Sequence, residues 1–198
     1  MHVTGITPAL SDACHQTTLE ALVYALENDI PVSFDVNYRE QLWSPSDARA
    51  VFDEMLGYTS VFKVGQDEAE TVWAEGLDPE GYARFFHRQG VKLVIVTRGS
   101  GGAVAFDGTS LISHPGYDVS VIDPIGAGDA FVAGFLWGIL QEYTLSEFFA
   151  LDQSSRKVVL RACLDIANVC GALTCTRNGD TAAMPTMDEV REFLATSI

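Results

Sequence analysis

The stretch Asp123-Pro124-Ile125-Gly126-Ala127-Gly128-Asp129-Ala130-Phe131, running into an apolar segment, combines residue types suited to chemistry at a phosphate. Gly126, Ala127 and Gly128 are small enough for backbone N–H groups to approach an anion closely. A helix that starts there adds unpaired N–H groups and the positive end of its dipole. Asp129, in the first turn, places a carboxylate within reach of a hydroxyl that attacks phosphorus. The plainer alternative is a glycine-rich helix start used for tight packing, and Gly134 and Gly138 show that this helix packs closely. The acidic residue at the helix mouth, fed by Asp-Pro, favours the chemical reading.

Three other segments fall where strands end in polar residues, which is where ligands bind in open α/β sheets. Asp35-Val36-Asn37-Tyr38-Arg39 suits an anionic or polyhydroxylated ligand, because Arg39 can fork onto a carboxylate. An exposed turn with a surface arginine accounts for it as well. Lys63 to Glu70 is rich in carboxylates, and Glu68 could hold a magnesium-bound water, since magnesium keeps most of its water shell. A solvated acidic helix face is the alternative there. Thr97-Arg98-Gly99-Ser100-Gly101-Gly102 suits close approach of nucleotide phosphates, although a hairpin turn alone explains the glycines. Neither a Gly-x-x-x-x-Gly-Lys-Ser/Thr loop nor a Gly-x-Gly-x-x-Gly turn after a strand is present. His2, His15, His87 and His114 are dispersed, with no nucleophile motif beside them.

These segments need a scaffold, and the chain alternates strand and helix in the way that builds one. Strands are expected at 2–5, 31–36, 61–64 and 91–97, with helices at 11–28, 46–56, 66–74 and 79–89. Leu19, Leu22, Val23 and Leu26 form one apolar stripe on the first helix. The apolar 91–97 segment reads as a buried parallel strand. Residues 102–106 and 110–113 flank Asp107-Gly108, a hairpin signal, and 119–122 reads as a last short strand. Helices are then expected at 126–141, 145–150, 154–173 and 187–195. The alternation points to a mainly parallel sheet covered by helices on both faces, in a single domain over 1–198.

Bulk properties exclude several partners. The net charge of −15 and the scattered Lys and Arg argue against nucleic acid. A nucleotide stays compatible with that charge, because magnesium and backbone dipoles offset phosphate. Cys14, Cys163, Cys170 and Cys175 show no metal-site spacing and read as reduced thiols of a cytoplasmic protein. The apolar run from Ala130 to Leu140 is too short to span a bilayer, so no membrane association is expected.

Asp123 to Phe131 resembles the C-terminal signature of the ribokinase-like carbohydrate kinases, the phosphofructokinase-B family. Thr97-Arg98-Gly99 with Gly102 is similar to that family's nucleotide-phosphate loop. Phe34 to Arg39 with Leu42-Trp43, together with Gly5-Ile6-Thr7-Pro8-Ala9-Leu10-Ser11, looks most like 2-keto-3-deoxygluconate kinases, and fructokinases share part of the pattern. The resemblance implies a three-layer αβα fold and ATP-dependent phosphorylation of a sugar or sugar acid. It implies Asp129 as base, with the backbone of Gly126, Ala127 and Gly128 as anion hole. Arg39 would contact the sugar acid or the phosphates, and Asn37 would help place them. Thr97, Gly99, Gly102, Gly126, Gly128 and Asn168 would line the nucleotide, and Glu68 would reach magnesium through water. The loop around Thr174 to Gly179 is where the family can hold a monovalent cation. A loose transition state asks for positioning and charge stabilisation more than for a strong base.

Two departures accompany the resemblance. Gly65 stands where the family usually has an asparagine. Members also carry a long N-terminal region, with a Gly-Gly sugar motif and a β-sheet lid that often makes the dimer, before the strand that begins here at His2. The expectation is therefore the C-terminal portion of such a kinase, without the lid and with any homodimer weakened. A catalytically impaired nucleotide-binding fragment, or a subunit needing a separate N-terminal part, is the competing expectation.

Overall fold

Buried cross-strand pairs define the sheet from which the functional segments hang. The structure, a computed structural model, describes residues 1–196. Strands β1 (His2–Thr4), β2 (Ser33–Asp35), β3 (Val61–Gly65), β4 (Leu93–Thr97), β5 (Ala103–Phe106) and β6 (Leu111–His114) form one sheet in that spatial order. The first four pair in parallel, with Phe34 opposite Phe62 and Phe62 opposite Val94. Every residue of β2 and Val61 to Val64 of β3 are buried, which requires cover on both faces of these strands.

The helices are α1 (Ile6–Ala9), α2 (Asp12–Glu27), α3 (Pro45–Leu56), α4 (Gln66–Trp73), α5 (Pro79–Arg88), α6 (Ala127–Leu140), α7 (Leu145–Ala150), α8 (Gln153–Cys175) and α9 (Met187–Thr196). Their starts follow from local chemistry. Ser11, Ser44, Asp78, Thr144 and Asp152 each accept a backbone N–H from the first turn that they cap. Proline occupies the first helical position of α3 and α5, where its missing N–H costs nothing.

The described residues fall into two compact units. The first comprises 1–98 and 104–111, and the second 99–103 and 112 onwards. In the first, Phe34, Phe52, Phe62, Trp73 and Phe86 make a continuous aromatic core with ring centroids 4.7–6.2 Å apart. At the carboxyl end of this sheet, register partners Asp35 and Lys63 form a buried ion pair of 3.0 Å.

In the second unit, α6 and α8 approach closely enough that a methyl on Gly134 would lie 2.6 Å from Cys170 Sγ. A methyl on Gly138 would lie 3.0 Å from Cys163 Sγ, so both glycines are required by contact. By length and composition α8 is apolar enough to cross a membrane. Its Leu160, Leu164, Ala167 and Val169 are buried within the protein, as in a core helix.

Two expectations fail. Residues 119–122 form no strand: the Ile122 N–H bonds the Cys175 carbonyl at 2.7 Å, and Val121 and Ile122 are about 60% exposed. β-Branched composition signals a strand only where a neighbour supplies a ladder. The apolar stripe of α2 is also split. Its buried face centres on Thr18, Leu22 and Ala25, leaving Val23 and Leu26 exposed. Thr18 tolerates burial because its hydroxyl donates to the Cys14 carbonyl.

Two measurements check this packing. Lys63→Met leaves Asp35 buried without its cation and should destabilise by about 3 kcal/mol in denaturant titration, with Asp35→Leu/Lys63→Met recovering most of the loss. Burial pushes the Cys163 thiol up to about 12 and that of Cys170 to about 11. In the folded protein at about pH 8, iodoacetamide should therefore label half-buried Cys14 first and spare both of these.

Candidate active site

In the first unit, β2 runs out through Val36 into Asn37, whose φ of +41° puts it in the left-handed region. Two contacts hold this unusual backbone. The Tyr38 N–H donates to Glu68 Oε1 at 2.8 Å, and the Tyr38 hydroxyl donates to the Trp43 carbonyl at 3.0 Å. A turn follows, with the Leu42 N–H on the Arg39 carbonyl. The Arg39 side chain is exposed, and among the described residues its guanidinium donates to the Tyr38 carbonyl, one of its five N–H groups, so donors are left for an anionic ligand. Gly5 supports the loop from beneath. A methyl there would stand 2.1 Å from the Val36 carbonyl oxygen and 2.7 Å from the Phe52 ring.

Glu68 has a role that its residue type did not reveal. Its Oε2 accepts the Gly65 N–H at 2.7 Å, so one carboxylate ties the loop after β2 to the turn after β3. Each oxygen keeps a lone pair for a water. Among the described residues no group of three or more His, Cys, Asp or Glu side chains could cage a metal. A magnesium that arrives with phosphate and keeps its water shell would ask for no such cage, and a single carboxylate such as Glu68 would suffice to meet it through water. Thr97 closes this unit's share of the predicted residues, half-buried at the end of β4.

The second unit holds the remainder. Gly126 has φ +77° and, lacking a side chain, caps α6 without a side-chain hydrogen bond of its own, while the Ala127 N–H donates to the Pro124 carbonyl at 3.3 Å. Gly128 and Asp129 are exposed in that turn. Asp123 shapes the approach, since Oδ1 accepts the Ile125 N–H at 3.1 Å and Oδ2 the Gly179 N–H at 3.2 Å. The N–H groups of Ile122 and Asp123 both bond the Cys175 carbonyl, docking the turn onto the end of α8. Burial and the Asp123 carboxylate push the Cys175 thiol up. Asp180 also lies against the turn, its Oδ1 2.6 Å from where a methyl on Gly126 would sit. A side chain at 126 is thus excluded by φ and by space.

Gly99 to Gly101 form a short 3-10 turn closed by the Gly102 N–H on the Gly99 carbonyl at 3.1 Å. Gly99 is exposed at φ +55°, whereas Gly102 is buried. Asn168 is buried on α8, and its amide donates to the Leu164 carbonyl at 2.7 Å. That burial turns its side chain to its own helix, so a direct contact with nucleotide would require it to rotate. Sequence reasoning missed Asp123 and Asp180 as shapers of the turn that opens α6. The Asp-Pro pair was the available signal for the first, and nothing local marked the second.

Three parallel strand pairs with helices between them define an α/β architecture. The pfkB family carbohydrate kinase model matches residues 1–187, and the chain belongs to this family. It is 37% identical over 136 residues to the 2-dehydro-3-deoxygalactonokinase of Haloferax volcanii, covering 68% of this chain and 43% of that protein. It is 32% identical over 203 residues to the 2-dehydro-3-deoxygluconokinase of Bacillus subtilis, covering 98% and 56%. The fructokinase of Vibrio cholerae, solved with fructose, ADP and calcium, superposes with a TM-score of 0.81 at 28% identity, covering 98% of this chain and 59% of that one. These matches establish the ribokinase-like α/β fold. The chain spans about half the length of these relatives.

Removing the carboxylate that ties the two loops should be costly without any ligand. Glu68→Ala is expected to lower stability by about 2–3 kcal/mol, because two N–H groups lose a charged acceptor. Thermal melts with and without magnesium should show the same loss; a loss confined to magnesium-containing samples would contradict the tie.

Proposed function

We propose that this chain carries the phosphoryl-transfer machinery of an ATP-dependent sugar kinase whose substrate is a 2-keto-3-deoxy sugar acid of the gluconate type. The observation that supports it most is the start of α6. An αL glycine leaves the first-turn N–H groups without a side-chain cap, and an exposed carboxylate, Asp129, stands in the same turn. In this reading the backbone of Gly126, Ala127 and Gly128 receives the transferred phosphoryl group. Asp129 accepts the proton of the attacking hydroxyl as the new P–O bond forms and the bond to the nucleotide breaks. Arg39 takes the substrate carboxylate, which a neutral hexose lacks, and Asn37 helps place it. Thr97, Gly99 and Gly102 line the nucleotide phosphates, and magnesium travelling with ATP offsets their charge.

The sugar-acid reading rests on Arg39 and on relatives named for 2-dehydro-3-deoxy acids. The fructose-bound neighbour makes a neutral hexose the competing substrate. A second reading is a chain that binds nucleotide without transferring phosphate.

The test is ATP consumption over a panel of sugar acids and hexoses, run beside calorimetric nucleotide binding. Asp129→Asn should lower turnover by about 10²–10⁴-fold while leaving the nucleotide Kd unchanged. Parallel loss of turnover and affinity would sink the role given to Asp129. Nucleotide binding without turnover on any substrate of the panel would select the second reading.

A further inference from the structure

A histidine outside the motifs ties down the backbone against which the glycine loop rests. The residues involved all belong to the second unit. Gly102 has φ +79°, and a methyl there would stand 2.1 Å from the His114 carbonyl oxygen and 2.3 Å from the Gly116 nitrogen. A methyl on Gly116, at φ +82°, would stand 2.8 Å from the Ser100 carbonyl oxygen. The Gly99–Gly102 turn and the His114-Pro115-Gly116 turn therefore touch backbone to backbone, with no side chain between them to absorb a shift.

The second turn is fixed by the imidazole. The Gly116 N–H donates to His114 Nδ1 at 3.0 Å. A backbone N–H can only donate, so Nδ1 is the acceptor nitrogen and the ring proton sits on Nε2. That proton is donated to Asp165 Oδ1 on α8, 2.9 Å away. The same oxygen accepts the Tyr117 hydroxyl at 2.7 Å. The Tyr117 ring packs on the imidazole, with centroids 5.2 Å apart, and edge-on against Phe193 of α9 at 5.1 Å. Burial and the Asp165 contact push the Tyr117 hydroxyl up to about 12, so it stays a donor.

We infer that His114 is a positioning residue for nucleotide binding, holding the Gly99–Gly102 turn in its phosphate-facing shape through Gly116. The inference rests on the proposal that this turn lines the nucleotide phosphates. His114 itself touches no ligand. It fixes the Gly116 amide on one side and is anchored to α8 on the other, and the glycine contact passes that order to the loop.

Two near-isosteric variants separate the two sides of the imidazole. His114→Asn keeps an acceptor at the Nδ1 position and loses the Asp165 contact. His114→Gln keeps a donor at the Nε2 position and loses the Gly116 acceptor. Calorimetry with magnesium-ATP should give a Kd within about twofold of wild type for His114→Asn and about fivefold weaker for His114→Gln, the scale of one net hydrogen bond. A merely structural histidine predicts equal losses that follow the melting temperature, and that result would overturn the inference. Equal affinity of His114→Gln and wild type would also overturn it. In the wild type, magnesium-ATP should slow amide exchange at Gly102 and Gly116 together, and slowing at Gly102 alone would count against the coupling. A wild-type chain that binds no nucleotide would instead remove the kinase reading, and this inference with it.

Discussion

Parallel pairing delivers the ends of neighbouring strands to one edge, and the functional loops of the first unit depend on that delivery. β2, β3 and β4 are in register, so Asp35, Lys63 and Ile95 lie side by side. The strands then release Asn37, Gly65 and Thr97 within a few residues of one another along their paths. A one-residue slip would exchange the faces on which Phe34 and Phe62 pack and separate Asp35 from Lys63. The buried ion pair makes such a slip expensive, because it would strand two charges in an apolar setting. Register and loop placement are in this sense one constraint.

The second unit is organised by missing atoms. Gly126 faces Asp180, Gly134 and Gly138 face cysteines of α8, and Gly102 and Gly116 face each other's backbones. At each point a single methyl would collide, and at Gly102, Gly116 and Gly126 the positive φ excludes other residues independently. The motif that suits phosphate chemistry thus sits on a helix whose own glycines draw it against α8. The turn before it is clamped to the end of that same helix through the Cys175 carbonyl.

The sequence revealed what is local. The strand–helix alternation, the capping serines and aspartates, the hairpin at Asp107-Gly108 and the glycine turn before Asp129 all have short-range signatures, and the elements lie where these put them. What it hid depends on distant partners. Tyr38 meets Glu68 across 30 residues, His114 meets Asp165 across 51, and Asp123 meets Gly179 across 56. No periodicity or motif spacing encodes such pairs. The strand expected at 119–122 failed for the converse reason, since composition favoured a ladder but the nearest acceptor was the carbonyl ending α8. Asn168 shows a third limit: the family resemblance implies a place beside the nucleotide, while its amide is spent on its own helix.

The glycine at position 65 carries a consequence for how this sequence can change. A methyl there would lie 2.9 Å from Glu68 Oε2, an oxygen already fixed by the Gly65 amide. A side chain at 65 would share this space with the carboxylate that also holds Tyr38. Thr144 with Glu147 and Thr186 with Glu189 show the same amide-to-carboxylate arrangement accommodating a side chain at the first position. The residue at 65 therefore sets where the Glu68 carboxylate rests, and through it the path of the loop that carries Tyr38.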